Sequence, residues 1–233
     1  MFPNPIILTN DDGVDAPGLQ TLLNVLLEEG ESQPIIVAPE NQLSGCSHYA
    51  TVDKTINVTK RDDHTYVVQG SPVDCVRLAI KELVPETAFI ISGINLGGNM
   101  GHDIYLSGTV AAAREATFHR VPAISISQYV RPNQDIDWKS TAHLAIRALR
   151  AVKKEKPLVD GFWNINLPHL EPRDPESQIA FCACCTRPLP VGYGHKKGGY
   201  AYQRGFYHKR EHLAGTDVGV CFRGDIAISR IYL

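Results

Sequence analysis

The sequence lacks the long apolar runs and the excess of basic charge that mark membrane proteins and duplex-binding proteins. Its 233 residues contain 23 Lys and Arg against 25 Asp and Glu, so the chain has no broad positive field for a nucleic-acid backbone. No apolar run approaches the roughly 20 residues that cross a bilayer. The first residues also lack the pattern of a secretory signal. We therefore expect a cytoplasmic protein that binds neither membranes nor duplex nucleic acid.

Cysteines are sparse as well. The chain has six of them, which is too few for a disulfide framework in a protein of this length, and we expect reduced thiols. The run Cys182-Ala183-Cys184-Cys185 could hold zinc, although the second cysteine pair or the paired histidines that would complete such a site are missing.

Three common motifs are absent too. No G-x-G-x-x-G follows the first predicted strand, no G-x-x-x-x-G-K-[ST] loop is present, and no G-x-S-x-G elbow occurs. These absences disfavour a dinucleotide-dependent oxidoreductase, a P-loop nucleotide hydrolase and an esterase.

What the sequence does contain is a regular alternation of short apolar runs and amphipathic segments. With 43% hydrophobic residues, the chain can form an ample core. The continuous apolar runs are typical of strands buried on both faces, and the alternation predicts an α/β fold with a parallel sheet wrapped by helices. Strands are predicted near 6–9, 35–38, 88–92, 123–127 and 162–166, and helices near 16–29, from Ser71 onwards, 109–119 and 138–153.

Two segments break this alternation. Residues 48–70 alternate polar and β-branched side chains, which predicts a hairpin inserted before the Ser71 helix. The C-terminal segment is rich in Gly, Tyr and short β-like runs. We expect residues 1–170 to form the main domain and residues 171–233 to form a β-rich arm that makes oligomer contacts.

Two adjacent carboxylates follow the first predicted strand, in the tract Thr9-Asn10-Asp11-Asp12-Gly13. Like charges side by side repel each other, and a hard divalent ion would remove that cost by binding their oxygens. The same tract could also be a simple turn before a helix, where acidic residues are favoured.

Further oxygen donors are expected at the same edge of the sheet. Ser44 follows the second strand and Asn95 follows the third, and the carboxyl ends of parallel strands meet at one edge. Each of these side chains alone could be an ordinary cap or turn residue. Two carboxylates with two neutral oxygens together suit Mg²⁺ or Mn²⁺.

A possible phosphate site follows. Glycines surround Asn95 and Asn99, which allows a ligand to approach the backbone closely. The tract Ser107-Gly108-Thr109 begins a predicted helix, where free amides and hydroxyls suit an anion. An ordinary helix cap is the alternative interpretation.

These tracts occur in the order of a known family. The chain resembles the SurE survival-protein nucleotidases over most of residues 6–127, and the resemblance rests on Ile7-Leu8-Thr9-Asn10-Asp11-Asp12-Gly13, Val37-Ala38-Pro39-Glu40 with Ser44-Gly45, Gly70-Ser71-Pro72-Val73-Asp74-Cys75-Val76, Ser92-Gly93-Ile94-Asn95 and Ser107-Gly108-Thr109-Val110-Ala111-Ala112-Ala113. Residues 130–213 match only loosely, and the chain ends sooner than its relatives after Ile228-Ser229-Arg230.

The resemblance implies a Rossmann-like α/β domain, one divalent metal ion and hydrolysis of nucleoside monophosphates, with 3′-nucleotides or short polyphosphate accepted by some members. It implies that the metal ligands are Asp11, Asp12, the Ser44 hydroxyl and the Asn95 side-chain oxygen. Around the phosphate it places Asn99, Ser107, Gly108 and Thr109. It also implies a homodimer or homotetramer.

We expect Asp11 or Asp12 to orient or deprotonate the attacking water. Two alternatives stay open. A phosphatase of the haloacid-dehalogenase type forms an aspartyl phosphate and needs Asp-x-Asp, whereas the two acids here are adjacent. A nucleotide-binding or sensing module would bind the same ligands without hydrolysing them.

Overall fold

A nine-stranded, mostly parallel sheet organises the protein. The computed structural model describes residues 2–155, 158, 160–170, 176–203 and 207–233. The strands of the described part are β1 (Ile6–Thr9), β2 (Ile35–Pro39), β3 (Val58–Asp62), β4 (Thr65–Val68), β5 (Phe89–Leu96), β6 (Ala123–Gln128), β7 (Gly161–Leu167), β8 (Ile179–Phe181), β9 (Tyr193–Lys196), β10 (Gly199–Tyr202) and β11 (Ile226–Tyr232).

The strand order in the sheet is β3-β4-β2-β1-β5-β6-β7-β11-β8. Strands β4, β2, β1, β5, β6 and β7 run parallel to one another, whereas β3 and β11 are antiparallel to their central neighbours. The carboxyl ends of β1, β2 and β5 therefore meet at one edge, which is where ligands bind in open α/β sheets.

Helices cover both faces of this sheet. They are α1 (Pro17–Glu28), α2 (Pro72–Leu78, continued by a π turn at Ala79–Leu83), α3 (Gly108–Phe118), α4 (Trp138–Lys153) and α5 (Asp217–Phe222), and single 3₁₀ turns occur at Gly101–Tyr105 and Tyr207–Lys209. Side chains of β1 alternate between the faces. Ile6 and Leu8 join a core with α1 and α4, whereas Ile7 joins a second core with α2 and α3.

Local signals in the sequence fix the helix ends. Ser71 caps α2 by accepting a hydrogen bond from the Asp74 amide, and the Asp74 carboxylate accepts one from the Ser71 amide in return. Pro72 occupies the first helical position, where its missing N–H costs nothing. Asp137 caps α4 in the same way through the amide of Ser140.

The predicted α/β fold with a parallel sheet and covering helices is confirmed. The inserted hairpin is β3 and β4, which begins only at Val58 and extends the main sheet at its edge. Among the described residues of the C-terminal segment, only β9 and β10 form a separate hairpin. Strands β8 and β11 lie in the main sheet, because β11 pairs with β7 on one side and with β8 on the other. Among the described helices, none has the length and apolar character needed to span a bilayer.

Candidate metal and phosphate site at the ends of β1, β2 and β5

The loop after β1 holds two carboxylates in different surroundings. Asn10 fixes the loop, since its side chain donates to the Gly13 carbonyl at 2.8 Å and accepts from the Gly13 amide at 3.2 Å. Asp11 is buried, with 4% of its surface exposed, whereas Asp12 is half-buried. The structure thus separates the pair into an inner and an outer acid.

Asp11 contacts the first turn of α3. Its carboxylate accepts a hydrogen bond from the Thr109 hydroxyl, and it packs so tightly on Gly108 that a Cβ there would lie 2.9 Å from the Asp11 Cβ. Burial raises the pKa of Asp11 to about 6, the Thr109 hydrogen bond opposes the rise, and the charge of Asp12 adds to it. Two adjacent carboxylates of this kind are expensive to keep ionised without a cation.

Asp12 is held by groups from two other strand ends. One oxygen accepts from the Leu96 amide at 2.8 Å, and the other accepts from Gln42 Nε2 at 3.3 Å. Burial raises its pKa, while these two hydrogen bonds oppose the rise. Gln42 Nε2 also donates to Ser44 Oγ at 2.9 Å, so one amide joins the outer carboxylate to the exposed serine hydroxyl.

Asn95 lies inside β5, not in a loop after it as the sequence suggested. The strand continues past Ser92 because Gly93, at φ +140°, allows an irregular step against β6. A Cβ at Gly93 would collide with the carbonyl oxygen of Ile126, so only glycine fits there. The side-chain nitrogen of Asn95 donates to the Gly97 carbonyl at 2.6 Å. The side-chain oxygen of Asn95 therefore points away from Gly97.

The donor set fits a hard divalent cation. It offers two carboxylates, one hydroxyl and one amide oxygen, and such oxygen ligands suit Mg²⁺ or Mn²⁺ with water completing the shell. Within the described ranges no three His, Cys, Asp or Glu side chains cluster as a metal site. The predicted oxygen site is not tested by this finding, because only two of its four residues, Asp11 and Asp12, belong to those types. The finding does cover Cys182, Cys184 and Cys185, which do not form such a cluster.

Three of the four predicted phosphate residues, Ser107, Gly108 and Thr109, form the start of α3. Ser107 caps the helix by accepting from the Val110 amide at 3.0 Å. Thr109 is fully buried, and its hydroxyl donates a hydrogen bond to the Asp11 carboxylate. The partner of this hydroxyl in the structure is therefore Asp11. The Val110 amide is taken up by the Ser107 cap, and where burial raises the pKa of Asp11, a backbone hydrogen bond from Gly108 lowers it. The N-terminus of a helix carries partial positive charge, which suits an anion beside the acids.

Asn99 is embedded in a buried polar network. Its side-chain nitrogen donates to Ser127 Oγ at 2.8 Å, and its backbone amide donates to Asn166 Oδ1 at 2.8 Å. Its carbonyl accepts from Asn164 and Asn166. These contacts anchor the glycine-rich loop to β6, which lies beside β5, and to β7, the next strand of the sheet.

The loop that carries Ser44 is tied to α3. The Ser47 amide donates to the Leu106 carbonyl at 3.0 Å. His48 Nε2 lies 2.8 Å from a carboxylate oxygen of Glu115, and Arg77 Nε lies 2.5 Å from the other oxygen. The Ser47 and His48 contacts hold the loop that carries Ser44 against α3 and the turn before it.

The C-terminal segment buttresses the glycine-rich loop from outside. Tyr207 donates its hydroxyl hydrogen to the Gly98 carbonyl at 3.0 Å. Arg210 is buried and lies 2.9 Å from Asp103, while its guanidinium covers the Tyr207 ring at 4.0 Å. The loop is therefore held from both the sheet and the C-terminal segment.

Several of these supporting residues had no separate signal in the sequence. Nothing in the sequence around Gln42 distinguishes it from other glutamines in loops. The contact between His48 and Glu115 joins residues 67 positions apart. The alternation Asn164-Ile165-Asn166 in a strand that is otherwise apolar did carry a signal. Polar side chains at alternate positions of a buried strand need partners on one face.

Comparison with known proteins agrees with this architecture. A family model described as "Survival protein SurE" matches residues 6–189. A relative from Nostoc sp. is 44% identical over 227 residues, covering 97% of this chain and 98% of the relative. A Clostridium botulinum protein named 5′-nucleotidase SurE is 41% identical over 168 residues, covering 70% of this chain and 66% of that protein.

Among solved structures, the crystal structure of the SurE protein from Aquifex aeolicus superposes with a TM-score of 0.84 at 28% sequence identity, covering 97% of this chain and 92% of that one. The family model and the Nostoc relative each span most of the chain. On these matches, together with the acidic loop after β1 and the glycine-rich loop after β5, the chain belongs to the SurE family.

Proposed function

We propose that this protein is a divalent-metal-dependent 5′-nucleotidase, which hydrolyses nucleoside monophosphates to nucleoside and phosphate. The observation that carries the proposal is the pair of acids at the end of β1, with Asp11 buried against the first turn of α3. An acidic pair beside an anion-binding helix start suits a cation that bridges protein and phosphate. Relatives named 5′-nucleotidase SurE support the same activity.

In this proposal the metal ligands are Asp11, Asp12, the Ser44 hydroxyl and the Asn95 oxygen. A bound divalent cation would supply Lewis acidity, offsetting charge on the phosphoryl oxygens and lowering the pKa of water. Mg²⁺ and Mn²⁺ both suit the donor set.

The chain's own groups would position the substrate and the water. The start of α3, at Ser107, Gly108 and Thr109, would hold phosphoryl oxygens, and Asn99 would keep the glycine-rich loop in place around them. Asp12 is the more exposed acid, so it is the better placed to orient or deprotonate the attacking water. The reaction then needs no covalent phosphoenzyme.

We further propose that residues 171–233 supply the oligomer contacts, through the β9–β10 hairpin that lies outside the main sheet. The β9–β10 hairpin exposes Tyr193, Tyr200 and Tyr202 by 61%, 72% and 52% of their surfaces. Exposed aromatic side chains grouped on one hairpin favour burial against another subunit. A homodimer or homotetramer is the expected assembly.

The test is phosphate release from a panel of nucleoside 5′-monophosphates, nucleoside 3′-monophosphates and short polyphosphate, in EDTA, Mg²⁺ or Mn²⁺. We expect release from the 5′-monophosphates with either metal and none in EDTA. Tight nucleotide binding without release under saturating Mn²⁺ would favour a binding module. A trapped phosphoaspartate would favour the haloacid-dehalogenase mechanism.

A further inference from the structure

A cleft beside Asp12 has no role in the chemistry described so far. It measures about 180 Å³ and its walls are Asp12, Gln42, Leu96, Trp138 and the start of α1 at residues 16–18. One of the proposed metal ligands therefore forms part of its wall. The remaining surface is mostly apolar, which is unusual next to a pair of acids.

The aromatic wall of this cleft is held in a fixed position. Trp138 is the first residue of α4 and packs partly on the core. Its ring contacts Gly18, where an added Cβ would lie 2.8 Å from the indole Cζ3 atom and would collide with the Ile94 carbonyl. Glycine at this point lets α1 approach β5 and leaves room for the edge of the indole ring against the helix start.

An exposed leucine also lines this cleft. Leu96 leaves 53% of its surface exposed, although the residue lies at the end of a central strand. Its backbone amide holds the Asp12 carboxylate at 2.8 Å. The apolar surface therefore begins at the residue that fixes the proposed metal ligand, so Asp12 and the apolar wall are adjacent.

A second cleft at the same edge of the sheet is larger but contains none of the four proposed metal ligands. It measures about 420 Å³ and its walls include Leu43, Cys46, Tyr49, Lys54 and Gln69. The segment at Leu43, whose amide donates to the Asp11 carbonyl at 2.8 Å, borders it. We therefore favour the smaller cleft, which includes Asp12.

We propose that Trp138 and Leu96 bind the nucleobase of the substrate, with the indole stacking on the base. This inference rests on the proposed nucleotidase function. The ribose would lie between the cleft and the phosphate, which would be held by the start of α3 and by the cation on Asp11 and Asp12. Stacking on an aromatic face tolerates every base and strengthens with ring area, so Trp138 sets a preference for nucleotides over base-free phosphate esters, with purines ahead of pyrimidines.

The kinetic experiment compares AMP with ribose 5-phosphate, which keeps the phosphate and sugar but has no base. In Trp138→Leu, which keeps apolar volume without an aromatic face, the ratio of kcat/KM for AMP to that for ribose 5-phosphate should fall roughly tenfold. Most of that fall should come from KM for AMP. Trp138→Phe should restore most of the ratio, because it returns an aromatic ring.

A binding experiment gives a readout that needs no turnover. The chain has two tryptophans, and Trp163 is 5% exposed in β7, away from this cleft. AMP added in EDTA should therefore quench the fluorescence of the wild type, and the quench should disappear in Trp138→Phe. Ribose 5-phosphate should leave the fluorescence unchanged.

Tyr49→Ala in the larger cleft is the matched control. If Tyr49→Ala lowers the AMP ratio and Trp138→Leu does not, the base binds in the larger cleft and the inference is wrong. It is equally wrong if neither change alters the ratio. If the wild type hydrolyses neither ester, the proposed function fails, and the fluorescence quench alone then decides whether Trp138 binds a base.

Discussion

Glu115 of α3 is a buried carboxylate that contacts one arginine and two histidines, and replacing it tests how the Ser44 loop is held. Its carboxylate contacts Arg77 at 2.5 Å, His48 at 2.8 Å and His119 at 3.2 Å. Burial alone would raise the pKa of Glu115, yet the hydrogen bonds and charges of His48 and Arg77 hold it at about 2. We predict that Glu115→Gln lowers the free energy of unfolding in a pH-dependent way.

The magnitude follows from the lowered pKa. A shift from the usual 4.5 to about 2 corresponds to ~3.4 kcal/mol at ~1.36 kcal/mol per pH unit. Arg77 is 43% exposed, so solvent screens part of the interaction, and we expect about 2 kcal/mol. Because the folded pKa is depressed, this stability is present above pH 4.5 and is lost as the pH falls towards 2.

Urea unfolding of wild type and Glu115→Gln at pH 7, 5 and 3 measures this difference. The gap between the two proteins should be largest at pH 7 and should narrow at pH 3. Glu86→Gln, an exposed carboxylate on the surface, is the control and should shift stability little at any pH. An equal gap at pH 7 and pH 3 would refute the ion cluster as the source of the stability.

Two further changes probe the contact between α3 and Asp11, and calorimetric titration of Mn²⁺ measures both. Gly108→Ala would place a methyl group 2.9 Å from the Asp11 Cβ and should lower Mn²⁺ affinity at least tenfold, since the geometry of metal ligands tolerates little displacement. Its control is Gly199→Ala, which has open space around the new methyl group and should leave the affinity unchanged. Thr109→Val removes the hydroxyl that orients the Asp11 carboxylate and should weaken Mn²⁺ binding about tenfold. Thr117→Val, a buried threonine of the same helix whose hydroxyl bonds only its own backbone turn, is the control, and an equal loss there would contradict the account.

The sequence predicted the framework because its signals were local. The apolar runs of the central strands and the cap at Ser71 act over a few residues, and the structure places these elements within a few positions of the predicted bounds. The convergence of Asp11, Asp12 and Asn95 at one edge followed from a single rule, that parallel strands share their carboxyl ends.

Contacts that span the chain could not be predicted in the same way. Gln42 joins Asp12 to Ser44, and Tyr207 reaches Gly98 across 109 positions. Such pairs depend on the path of loops, which residue spacing does not encode. The sequence also did not reveal that β5 extends through Asn95, because Gly93 looked like the end of a strand. In the structure the strand continues past Gly93 through a shift in register against β6.

The most direct test of the central claim is calorimetric titration of Mn²⁺ into wild type, Asp11→Asn and Asp15→Asn. Asp15 is a matched control, since it lies nearby in sequence but is exposed and paired with Arg61 at 2.5 Å. We predict that the wild type and Asp15→Asn bind one Mn²⁺ per chain and that Asp11→Asn binds none at the same concentrations. Undiminished binding by Asp11→Asn, or an equal loss in Asp15→Asn, would contradict a metal site built on the acids after β1.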